Sequence, residues 1–541
     1  FAASADGKKH QIWVAAGTYY GDTTLSTVVH LAPGISLYGG FAGNEKSLSA
    51  RDTANNPTIL DGKNARRVVT QDYGFADSMA VVVDGFTIQN GYMYNGGGAY
   101  LCKNTTLTNC IVKNCRAIES GSAVYANGAN VTNSIVCYNG AVDYNTNRNA
   151  ALYLVSAKLD SCIVKNNSAY YTSALQAESS VITNSLFEGN GNCNDYIITL
   201  SKSRMYDCKM INNVNNSYSS DQIVYLSTSS TVERCLIDGN DTYYQTVYLT
   251  GSSTISNSQI TKCRSRASYL IEIRDNSKMI NCTVADNVSS NQTVYCYNTP
   301  QILNSIVVGN KRTNNSESVY VNGATIKYSM IEGGANGEGN IDGSKSSAAF
   351  ADASKGDYSL SGTSLCINAG TDVADSLDLR KNLRKQSEAV DMGAIESSFT
   401  ERAMVGSIIY VKAGSDGSGL SWDDALGEIN QAVTLASTTG NRHDIWVAKG
   451  SYLGDTSLVS AISLSAGVSL YGGFAGTESS LDERNPKTNV TIIDGKYKRR
   501  CIIQNYDFAD SLAVVVDGFT IQNGSLSNNS GVNAKTKKNT T

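Results

Sequence analysis

Between Gly85 and Ser329 the apolar and polar positions recur in one short phrase. An aliphatic residue and two polar residues precede Cys or Ser, an aliphatic pair follows, and Asn stands five positions after the Cys or Ser. The small column runs Cys110, Ser134, Cys162, Ser185, Cys208, Cys235, Ser258, Cys282, Ser305 and Ser329, with Gly85 as its first member. Its steps of about 23 to 28 residues are the mark of stacked like units rather than of one closed globule. Apolar residues stand three positions before each small residue (Leu107, Val131, Leu159, Ile182) and two after it (Val112, Val136, Val164, Phe187). This alternation predicts short strands with one face inward. A further strand about ten residues upstream reads aliphatic–Tyr–aliphatic, as in Val124-Tyr125-Ala126, Leu152-Tyr153-Leu154, Val224-Tyr225-Leu226 and Val247-Tyr248-Leu249. No helical periodicity intervenes, which excludes a βαβ array. Two or three strands per coil, with coils stacked about 4.8 Å apart, make an all-β, right-handed parallel β-helix.

A parallel stack sets like residues above like. Asn139, Asn167, Asn190, Asn213, Asn240, Asn287 and Asn310 are then expected to form a side-chain amide ladder at a tight corner, in left-handed backbone geometry that Asn tolerates. Cys115 and Cys263 occupy that position in two deviant turns. The Cys/Ser column reads as small core filler. The thirteen cysteines are odd in number and show no zinc-type Cys-x-x-Cys pairing, so stacked free thiols are expected rather than metal ligands.

Composition narrows the class further. Only 17% of the 541 residues are charged and only four are proline, while 31 are tyrosine, a balance suited to strand and turn. A net charge of −4 with no Lys/Arg block argues against a nucleic-acid surface. No apolar run is long enough to span a bilayer as a helix.

A second, longer repeat overlies the first. Residues 12–91 and 445–524 align without a gap at an offset of 433, with roughly 50 of 80 positions identical. The organisation expected is one unit over 1–398, with its N-terminal cap truncated, coils to about 332 and a closing region over 333–398. A second unit starts over 399–541 with a linker, a strand, a capping helix at 421–437 and the first coils. Ser421 reads as the N-cap of that helix, with Asp424 three residues on, and its apolar face (Leu426, Ile429, Val433, Ala436) is expected to plug the open end of the coil.

The opening Ile12-Trp13-Val14-Ala15 and Leu37-Tyr38-Gly39-Gly40-Phe41, with the closing Cys366-Ile367-Asn368-Ala369-Gly370 and Val390-Asp391-Met392-Gly393-Ala394-Ile395-Glu396, carry a resemblance. The chain resembles secreted right-handed β-helix repeat proteins of Bacteroidota type in the pectin-lyase-like superfamily, and its closing element is similar to that of choice-of-anchor proteins. The resemblance implies an extracellular or cell-surface protein of structural or adhesive kind.

Function is weighed on the same residues. The Gly-His-Gly and Arg-x-Lys signatures of pectin hydrolases are absent, and no Asp or Glu column lines the outward strand positions. The expectation is therefore a non-catalytic protein, not an enzyme, with no cofactor and no metal, whose tandem units form a stalk or filament. Its expected partners are other units of the same protein and glycans or cell surfaces, with no nucleic acid and no membrane span. A glycan-binding module, or a polysaccharide lyase or hydrolase on the same fold, is the alternative. The candidate binding residues are the outward tyrosines Tyr100, Tyr125, Tyr153, Tyr225, Tyr248, Tyr295 and Tyr320, a column interrupted by Gln176, Thr199 and Glu272. Stacked aromatics can grip sugar rings, or can simply stiffen the sheet by stacking on one another.

Overall fold

The computed structural model describes residues 7–141, 149–167, 172–191, 196–215, 222–313, 324–344, 350–362, 364–373, 377–386, 389–398, 408–437, 443–454, 458–504, 514–525 and 532–533. The chain divides into two compact units, one of residues 1–344 and 369–396, the other of residues 345–368 and 397–541.

The larger unit is a parallel β-helix with three long walls. The first has 13 strands, from His10–Ala15 to Thr325–Lys327; the second has 14, from Gly17–Tyr19 to Ile341–Asp342; the third has 11, from Thr27–His30 to Val294–Tyr297. Each strand pairs with its counterpart one coil away rather than with its chain neighbour. Register is kept without slippage over long stretches, as in Leu107↔Val131, Val131↔Leu159 and Leu159↔Ile182 in the first wall. The inward columns predicted from alternation are all there: Leu107, Val131, Leu159, Val112, Val136, Val164 and Phe187 are fully buried in one continuous core. At about 25 cal/mol for each Å² of apolar surface removed from water, that core is the main stabilising contribution.

Three polar ladders hold the corners in register. Along the Asn column, Asn139 Nδ2 donates to Asn167 Oδ1 at 3.1 Å, Asn167 to Asn190 at 3.1 Å, and Asn190 to Asn213 at 3.1 Å. Each Oδ1 also accepts the backbone N–H of the coil before, as from Asn167 N to Asn190 Oδ1 at 3.0 Å. The expected amide ladder is present, but its backbone reading needs correcting. The left-handed residue is the one before each ladder Asn: Tyr138, Asn166, Gly189, Asn212 and Gly239 have φ of 57°, 52°, 60°, 52° and 63°. The preceding residue takes the turn, so the Asn itself can point inward and serve its neighbours.

The Cys/Ser column works in the same way. Cys110 N donates to Ser134 Oγ at 3.1 Å, and Ser185 N to Cys208 Sγ at 3.4 Å. Each side chain accepts from the coil before, which is why the two residue types interchange. All cysteines among the described residues are free, and burial pushes Cys110, Cys162 and Cys263 up to about 12. A third ladder, Ser180, Ser203, Ser230, Ser253 and Ser277, joins the third wall to the first with N–H to Oγ bonds of 3.0 to 3.2 Å. The sequence reading passed over it because serine is common everywhere in this chain.

The segment 369–396 folds back over the outer side of the last coils. Gly393 N donates to Asn304 O at 2.7 Å, Thr371 N to Asn304 Oδ1 at 2.9 Å, and Ala394 N to Thr283 Oγ1 at 3.0 Å. Beneath the last of these contacts the outward-facing Thr283 and Ile306 become buried.

In the smaller unit the strands Ile408–Val411, His443–Ala448, Val468–Phe474 and Val516–Asp517 pair in parallel, as the first coils of the larger unit do. The helix α1 covers Ile429–Ser437, shorter than the expected 421–437. Ser421 Oγ does accept from Asp424 N at 3.2 Å, but Leu426 then bridges to Val411, and helical winding starts only after that contact. Ile429, Ala432, Val433 and Ala436 seal the core end, and Asn430 Nδ2 donates to Ala461 O at 2.8 Å on the edge strand Ser460–Ser463.

Candidate glycan-binding face

The third wall presents alternate residues outward, and strand register fixes which of them meet. Tyr100 stands beside Tyr125 and Tyr125 beside Tyr153; Tyr153 is followed by Gln176, Thr199, Tyr225, Tyr248, Glu272 and Tyr295 in turn. The structure thus brings six of the seven proposed tyrosines into one outward column, each half-buried. Tyr320 lies outside the described residues.

The column is broken into segments. Tyr100 and Tyr125 stack with centroids 4.8 Å apart and planes within 8°, and Tyr125 and Tyr153 at 5.1 Å and 12°. Tyr225 and Tyr248 are 5.3 Å apart and tilted by 34°. Within each segment the ring faces are given to one another, so phenol hydroxyls and ring edges are what solvent meets. Among the described residues, no ring stacks on Tyr153 from the Gln176 side.

Two rings that the sequence reading missed extend the stack. Tyr196 lies on Tyr225 at 4.6 Å, and Tyr269 on Tyr295 at 4.3 Å. Each stands three residues before a column position that lacks tyrosine, Thr199 and Glu272 respectively, and that offset is the signal that would have found them. Two arginines lie against further ring faces. Arg67 lies 4.9 Å from the Tyr100 centroid and Arg274 5.5 Å from that of Tyr248, both within cation–π range.

Polar groups converge beside the second segment. Glu272 is buried, accepting from Arg274 Nε at 2.5 Å and from Gln245 Nε2 at 2.6 Å, while Gln222 Nε2 donates to Gln245 Oε1 at 2.8 Å. Burial and neighbouring phenols hold the Tyr125 hydroxyl above the ordinary tyrosine range, and burial and Glu178 do so for Tyr153, so both remain neutral donors near pH 7. Beyond the start of the column, His30 Nε2 pairs with Asp72 Oδ2 at 3.0 Å beside a cavity lined by Leu31, Pro33, Tyr73 and Phe75. No group of three or more His, Cys, Asp or Glu side chains among the described residues is placed to hold a metal ion.

The arrangement defines a right-handed parallel β-helix with an aromatic outer face. No family model matches the chain, and no curated protein is recognisably similar to it in sequence. Solved structures with a similar course include the pectate lyase Pel9A, at 13% identity over 73% of this chain and 98% of that one, with a TM-score of 0.32. A tailspike protein of an E. coli bacteriophage in complex with a pentasaccharide matches at 13% identity over 61% and 70%, with a TM-score of 0.33. A mutant of the PL6 family alginate lyase AlyGC matches at 12% identity over 98% and 71%, with a TM-score of 0.34. These likenesses concern the fold alone.

They do correct one expectation. The chain was expected not to be an enzyme, yet two of these structures are polysaccharide lyases. Missing hydrolase signatures therefore do not set this chain apart as non-catalytic, because a coil stack can present reactive groups at any outward position. The non-catalytic reading is withdrawn.

Proposed function

We propose that this protein binds a polysaccharide along the outer face of its third wall, centred on the break in the tyrosine stack beside Tyr153. One observation carries the reading: among the described residues the aromatic column is interrupted at Gln176, so the ring of Tyr153 borders a side-chain amide, with the Thr199 hydroxyl one strand step further on. An apolar face next to short polar groups suits a pyranose, which offers a C–H face and equatorial hydroxyls. Tyr196, stacked on Tyr225, resumes the column beside Thr199, so a chain lying along the stack meets aromatic groups on both sides of Gln176. An extracellular or cell-surface setting belongs to the same proposal.

The test is titration of the whole chain against a panel of neutral and acidic polysaccharides, with Tyr153→Ala and Thr199→Ala beside the parent. Binding weakened about tenfold or more by both changes supports the site. Absence of binding across the panel, or affinities untouched by both, ends the proposal. Product analysis after the same incubations reports whether a bound chain is also cut.

A further inference from the structure

Charge is sparse on the third wall, and its placement bears on which sugars suit the break at Gln176. The strands of that wall carry Arg67, Glu178, Glu272 and Arg274 and no other Asp, Glu, Lys or Arg. Both arginines are held by other groups. Arg67 donates from Nε to Gly96 O at 3.1 Å, from Nη1 to Thr70 Oγ1 at 3.0 Å and from Nη2 to Asn95 O at 2.7 Å. Arg274 is paired through Nε with the buried Glu272, and Asp275, next along the chain, adds a second carboxylate.

Glu178 differs from these. It stands two residues beyond Gln176 in the strand Thr172–Glu178, on the same outward face and about 7 Å along it. Its side chain is exposed, and among the described residues its carboxylate takes no hydrogen bond and no ion pair. Lys202, at the corner of the next coil, is also exposed and does not pair with it. The Tyr153 hydroxyl is held above the ordinary tyrosine range by burial first and then by Glu178, with no cation opposing them. The strands of Arg67 and Arg274 each lie four steps from that of Glu178. At about 4.8 Å per step the separation is about 19 Å, more than two Debye lengths of about 8 Å at physiological salt. Neither arginine therefore offsets the carboxylate at the break.

We infer that Glu178 sets the substrate class of this site: it accepts hydrogen bonds from adjacent hydroxyls of a neutral pyranose and repels a sugar bearing a carboxylate or sulfate. The inference rests on the polysaccharide reading above and narrows it to neutral chains. A free carboxylate accepts from two neighbouring hydroxyls at once, and such charge-assisted bonds are about twice as strong as neutral ones. An acidic sugar in the same place meets an uncompensated charge. Two like unit charges about 7 Å apart in water lower affinity by about threefold when salt is low.

The test uses the full chain and matched 1,4-linked hexasaccharides, glucan against glucuronan and mannan against mannuronan, titrated at about 10 mM salt. The neutral member of a bound pair should bind more tightly by about threefold or more, and the preference should shrink as salt is raised. Glu178→Gln should bring the two affinities together, and Glu178→Lys should reverse their order. Both changes fall on an exposed side chain and leave the core untouched. Tyr153→Ala should weaken both members alike. An acidic member bound by the parent as tightly as the neutral one overturns the inference, as does a preference that survives Glu178→Gln. In either case, binding that still depends on Tyr153 leaves the site itself standing. No binding of any member ends the reading of the site, and this inference with it.

Discussion

Asn190 Oδ1 takes two hydrogen bonds from Asn167, one from its backbone N–H at 3.0 Å and one from its side-chain amide at 3.1 Å. One buried oxygen thereby locks two coils into a single register, while Asn190 Nδ2 is satisfied by Val164 O at 2.9 Å. Removing it leaves a buried N–H and an amide without their acceptor. Asn190→Ala should therefore cost about 2–4 kcal/mol, since unmet buried polar groups cost about 1–3 kcal/mol each. Denaturant unfolding checks this, and a loss under about 0.5 kcal/mol would show that the ladder only decorates the corner.

The Cys/Ser column should behave differently. Cys208→Ser keeps the acceptor for Ser185 N and is expected to change stability by less than about 1 kcal/mol. The buried thiols themselves should be inert. With Cys110, Cys115, Cys162 and Cys263 held at about 12, the thiolate fraction at pH 8 is on the order of one in ten thousand. Mass spectrometry after alkylation should find these four unmodified in the native protein and modified after unfolding.

Stiffening and binding by the tyrosine column are separable at its break. Gln176→Tyr should extend the Tyr153 stack, raise the melting temperature and abolish polysaccharide binding by covering the Tyr153 ring face. Tyr125→Ala, which removes a ring stacked on both sides, should cost about 1–3 kcal/mol. Gln176→Tyr protein that melts higher yet binds as before would place the sugar elsewhere.

The closing segment should loosen as pH rises. Burial first, and then Asp391, pushes the Glu396 carboxyl up to about 8, while Arg384 opposes the shift from 3.6 Å. Its folded value lies above its unfolded one, so the folded form holds the proton more tightly. The contribution of this group to stability is full below about 4.5 and is lost as pH rises from there to about 8, by at most about 1.4 kcal/mol per pH unit. Hydrogen exchange over 389–396 should show this slope in the parent and lose it in Glu396→Gln.

Much of this molecule can be read from its pattern alone. A period of about 24 residues with three inward columns leaves little besides a parallel coil stack, because only vertical stacking buries every repeat of the same face. The outward tyrosine column and its gaps at Gln176, Thr199 and Glu272 follow from the same arithmetic. The backbone turn at Asn166 rather than Asn167, and the late start of α1 at Ile429, do not follow. In the first case two adjacent Asn residues compete for one conformation, and the core decides between them. In the second, a strand edge at Val411 captures Leu426 before helix can form.

What the sequence determined by itself is the identity and order of the groups that face in and out, since alternation and period are properties of the chain. What only the tertiary structure decided is which faces remain open. Tyr125 and Tyr153 belong to the same column, yet among the described residues Tyr125 has rings on both sides and Tyr153 on one. Exposure depends on neighbours brought from the next coil or from a separate segment, and no local pattern records those.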